Sequence, residues 1–70
     1  MPLCPRNQEL AEALLNALSH IVQLTNRQME AIRKGDHPLI ADLDSQLEQA
    51  VGEKERALGA WREHAEEHGC

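Results

Sequence analysis

The stretch Lys34-Gly35-Asp36-His37-Pro38 lies at the midpoint of a 70-residue chain and carries the signals for ending one helix and starting another. Gly35 can take the left-handed conformation at a helix C′ position without a Cβ clash, and Arg33 and Lys34 place cations beside the last carbonyls of the preceding helix. Asp36 is suited to cap the next helix by accepting a backbone hydrogen bond. Pro38 falls in that helix's first turn, where a missing N–H costs little. The expected fold is all-α: an antiparallel two-helix hairpin, a single domain over residues 1–70, with helix one over about 5–34, the turn at 35–36 and helix two over about 37–68.

Pro5 suits the first position of helix one, and either Cys4 or the better capper Asn7 marks its boundary. No Pro or Gly interrupts the chain from there to Lys34, which gives roughly 28 residues and about 42 Å of helix. Two adjacent apolar stripes run down it, each stepping alternately by three and four. One reads Leu10, Leu14, Ala17, Ile21, Leu24, Gln28, Ala31; the other reads Ala11, Leu15, Leu18, Val22, Thr25, Met29, Ile32. Helix two carries a main seam of Ile40, Leu43, Leu47, Ala50, Lys54, Ala57 and Trp61, continued by His64 and His68 and widened by Val51, Leu58 and Ala65. Gly52 and Gly59, seven residues apart on that helix, either permit close helix approach or sit on a solvated face.

With the turn between Gly35 and Asp36, residues whose numbers sum to about 71 share a height in the hairpin. Leu10 then meets Trp61, Leu24 meets Leu47, Ile32 meets Leu39, and Lys54 falls level with Ala17, its ammonium free to snorkel outward. A single neighbouring helix covers one seam, not two. A chain this short also buries a small share of its surface, so self-association is the default expectation. The second seam is therefore expected to pack on another copy, giving a homodimeric four-helix bundle with interface residues Leu15, Leu18, Val22, Met29, Leu58 and Trp61.

Composition narrows the partners. The 12 acidic and 7 basic residues give a formal net charge of −5, and Trp61 is the only aromatic. With no basic stripe and no stacking platform, no nucleic-acid partner is expected. Apolar runs of a few residues are far short of the ~20 that span a bilayer, so no membrane span is expected. The N-terminus lacks a basic segment followed by an apolar one, so no secretory signal is read and a cytoplasmic setting is expected.

The height rule also brings Cys4, His64, His68 and Cys70 together at the open end. His64 and His68 are one helical turn apart, the geometry by which a helix offers two imidazoles to one tetrahedral ion, so these four are the candidate zinc ligands. Two other readings compete: the histidines fill the frayed end of a seam beside free thiols, or Cys4 and Cys70 form a disulfide. His64-Ala65-Glu66-Glu67-His68 matches the H-x-x-E-H zinc-peptidase signature, but a third ligand, a cleft and an oxyanion stabiliser are wanting. No catalytic site and no cofactor are expected.

The expected function is a small self-associating protein–protein interaction or assembly module that presents an acidic surface to a protein partner. The alternative is a zinc or thiol module built on the terminal Cys/His cluster. The Arg33-Lys34-Gly35-Asp36 turn between long amphipathic helices is similar in layout to the hairpins of flagellar export chaperones, which hold partner segments. That likeness implies a chaperone- or adaptor-like role.

Overall fold

The structure, a computed structural model, describes residues 5–68. It consists of α1 (Pro5–Lys34) and α2 (His37–His68), packed against each other as an antiparallel hairpin. The turn is built as its residues dictate. Gly35 has φ +68°, and the Asp36 N–H donates to the Ala31 carbonyl at 3.0 Å while the Gly35 N–H donates to the Ile32 carbonyl at 3.1 Å. These two bonds are the Schellman pattern that satisfies the last free carbonyls of a helix. Asp36 then caps α2, its Oδ1 accepting the Leu39 N–H at 3.3 Å. Arg33 and Lys34 occupy the last turn of α1 and also bridge Glu30, which is worth a few tenths of a kcal/mol at an exposed site.

The first stripe of α1 faces α2, as its spacing requires. Leu24, Ala31, Leu43 and Ala50 form the buried cluster, with Ile21, Leu39, Ile40 and Leu47 packed against it. Large and small residues share this seam: Leu24 and Leu43 are its fully buried large side chains, and Ala31 and Ala50 are buried with them. At the next level outward Ala17 and Ala57 share a groove, and small meets small. The cross-helix bond from Gln28 Nε2 to Asp44 Oδ1, 3.5 Å long, fixes the register within a residue or two of the expected one. Lys54 lies half-buried in the seam of α2 and turns its ammonium out to Glu55 Oε1 at 3.1 Å.

Two expectations are corrected. Asn7 is no cap: α1 already runs from Pro5, and the Asn7 side chain is buried because it continues the seven-residue spacing of Leu14, Ile21 and Gln28. Ile32 does not meet Leu39 in the core. It is 59% exposed, because Ala31, one residue earlier, takes the position that faces α2.

Glycine-to-alanine substitutions separate the backbone requirement at the turn from its absence in the helix. Gly35 needs a positive φ, whereas a Cβ added at Gly59 meets nothing within 4 Å. In urea denaturation, Gly35→Ala is expected to destabilise by ~1 kcal/mol. Gly59→Ala is expected to stabilise by about the same amount. An unchanged or raised midpoint for the first would show that the turn does not depend on left-handed backbone.

Candidate protein-binding face

Each helix buries one stripe in the hairpin, and the remaining apolar residues decide what else the molecule can do. On α1 the second stripe lies about 100° round from the buried seam, in the direction of increasing residue number. On α2 the stripe containing Val51 and Leu58 is displaced from its seam in the same sense, by somewhat less. The helices run in opposite directions, so one sense of rotation carries both stripes to the same side of the hairpin. Leu15, Leu18, Val22, Met29 and Ile32 of α1 and Val51 of α2 are exposed there, with Leu15 at 63% and Val22 at 58%.

The opposite side has a different chemistry. Ala17 and Ala57 floor an open groove of about 370 Å³ whose rim is Asn16, His20, Glu53 and Arg56. Further out, Arg6, Glu63 and Glu67 line a second, smaller depression beside Leu10. The six exposed large apolar residues thus share one side of the hairpin, and the groove rimmed by Asn16, His20, Glu53 and Arg56 lies on the other.

The expected interface residues divide between the two surfaces. Leu15, Leu18, Val22 and Met29 lie exposed on the apolar side, and half-buried Leu58 borders it. Trp61 lies in the seam between α1 and α2, half-buried, with its indole Nε1 enclosed and unpartnered. Asn7, in the seam at the same end, likewise has an enclosed, unpartnered Oδ1. Ile32 and Val51 are also exposed on that side and lie outside the expected interface set, although Ile32 continues the stripe that contains Met29.

Of the four candidate zinc ligands, His64 is half-buried beside Arg6, Leu10 and Glu67. Cys4 and Cys70 and the side chain of His68 lie outside the described residues. Among the described residues no group of three or more His, Cys, Asp or Glu side chains is placed to hold a metal ion. No helix among them is long and apolar enough to cross a membrane.

An enclosed acceptor without a donor costs ~1–3 kcal/mol, so Asn7→Leu is expected to raise the urea midpoint by an amount equivalent to about 1 kcal/mol or more. A lowered midpoint would mean that the amide holds a partner the hairpin needs.

No protein-family model, curated protein or solved structure matches this chain, and its function has to be read from the two sides of the hairpin themselves.

Proposed function

We propose that the protein is a self-associating assembly module, in which two copies meet through the apolar side of the hairpin to form a four-helix bundle. The observation that carries this reading is the single-sided distribution of exposed large apolar residues. A helical hairpin is one layer thick, and stable domains need a second layer over the first. The chain measures 50 × 18 × 11 Å, so its broad side has the dimensions of a helix-pair surface.

Area supports a second copy as the missing layer. The chain exposes 5153 Å², against roughly 4400 Å² expected for a compact monomer of its 7.9 kDa. That excess is close to the ~800 Å² which each partner buries in an interface of standard size.

The bundle would keep its acidic residues outside and offer that surface to a protein partner, in an adaptor- or chaperone-like role. Binding rather than catalysis is the activity we assign to it.

Sedimentation equilibrium at micromolar concentration tests the reading, and a dimer is the expected species. Val22→Glu together with Met29→Glu places two carboxylates per protomer on the apolar side and should raise the dimer dissociation constant at least about tenfold. Gln23→Glu, on a different exposed face of α1, should leave it unchanged. A wild-type monomer with a high melting temperature, or a dimer indifferent to the double substitution, would overturn the assignment.

A further inference from the structure

We infer that Met29 is an oxidation site that controls self-association: a peroxide converts its thioether to the sulfoxide in the free hairpin, and the modified chain no longer pairs. This rests on the self-associating reading above and adds a chemical control to it, whichever way the two copies are turned relative to each other.

The chain has two methionines, and Met29 is the one that lies within the described residues. It is 45% exposed on α1, which leaves it open to a small oxidant. Its place on the helix decides what oxidation does. Met29 belongs to the stripe of Leu15, Leu18, Val22 and Ile32, and it lies outside the cluster of Leu24, Ala31, Leu43 and Ala50 that joins the two helices. Oxidation of a methionine within that cluster would open the hairpin. Oxidation at Met29 leaves the seam intact and changes only the apolar side.

The reaction needs a peroxide and nothing from the protein beyond the sulfur. The thioether sulfur attacks one oxygen of hydrogen peroxide, the O–O bond breaks, and the sulfur keeps that oxygen; the other leaves as water, so the sulfur is oxidised and the peroxide reduced. A flexible apolar side chain thereby becomes a strong hydrogen-bond acceptor. Covering such a group without giving it a donor is unfavourable. Along the stripe the neighbours one turn away on either side are Thr25 and Ile32. Ile32 offers no donor in its side chain, and the Thr25 hydroxyl already donates to the Ile21 carbonyl at 2.8 Å. The sulfoxide therefore stays in solvent, and the apolar side stays uncovered.

The coupling also runs the other way. A second copy seated on the stripe covers the Met29 sulfur, so oxidation proceeds through the dissociated chain. Assembled protein is protected and dilute protein is susceptible. The change is reversible: with a methionine sulfoxide reductase, two thiols return the thioether and give a disulfide and water.

The test uses the full chain carrying Cys4→Ser and Cys70→Ser, which removes the competing thiols. After treatment with hydrogen peroxide, with conversion at Met29 read by peptide mass spectrometry, the dimer dissociation constant from sedimentation equilibrium should rise about tenfold. The helical circular dichroism signal should not change. Met29→Leu in the same background, treated alike, should keep its untreated constant, and reductase with dithiothreitol should restore the dimer of the treated parent. The oxidation rate at Met29 should fall as protein concentration rises through the dissociation constant, with free methionine in the same tube as the reference. An oxidised dimer with an unchanged constant, or a loss of helical signal alongside the loss of dimer, overturns the control at Met29 and leaves self-association standing. An untreated sample that sediments as a monomer removes self-association itself, and the control with it.

Discussion

Two helices can share only one seam, and nearly every other property of this molecule follows from that. The Leu24, Ala31, Leu43, Ala50 cluster uses one stripe of each helix. A helix of 30 residues with a second apolar stripe therefore has a surface that α2 leaves uncovered. In the hairpin the stripe of Leu15, Leu18, Val22, Met29 and Ile32 is exposed.

The turn and the seam depend on each other. The Schellman bonds of Ala31 and Ile32 and the cap from Asp36 set where α2 begins, and a shift of one residue there would rotate its seam by about 100° away from α1. The buried leucines and alanines of the seam let the helices pack against each other, and where Ala17 and Ala57 line the surface a groove opens. The groove is thus a packing consequence of two small residues at one level.

Much of this was legible in the sequence because helix periodicity and turn chemistry are local. Gly35, Asp36 and Pro38 placed the turn, and steps of three and four assigned Leu24 and Val22 to different faces before any contact was known. The errors arose where a local preference competed with a tertiary one. Asn7 reads as a cap by residue type, yet it sits at a seam position and is buried. Ile32 shares a height with Leu39, yet its stripe faces away from α2 and Ala31 takes the facing position. The side of the hairpin on which Val51 falls needed the handedness of two opposed helices, which spacing along either one does not contain. The zinc proposal rested on Cys4 and Cys70, at chain ends beyond the described residues.

The turn has one consequence for how the chain reaches this fold. Residues beside Gly35 that meet across the hairpin are close neighbours along the chain, whereas Leu10 and Trp61 are separated by almost its whole length. Closing a longer loop costs more entropy, so structure forms most readily at the turn and closes outward like a zipper. Leu24 and Leu43, the two fully buried large side chains, lie in the half that closes early. The unpartnered Asn7 and Trp61 groups lie in the half that closes last and opens first. Local opening is therefore graded along the molecule, and amide protons are expected to exchange fastest at the end where the chain starts and finishes.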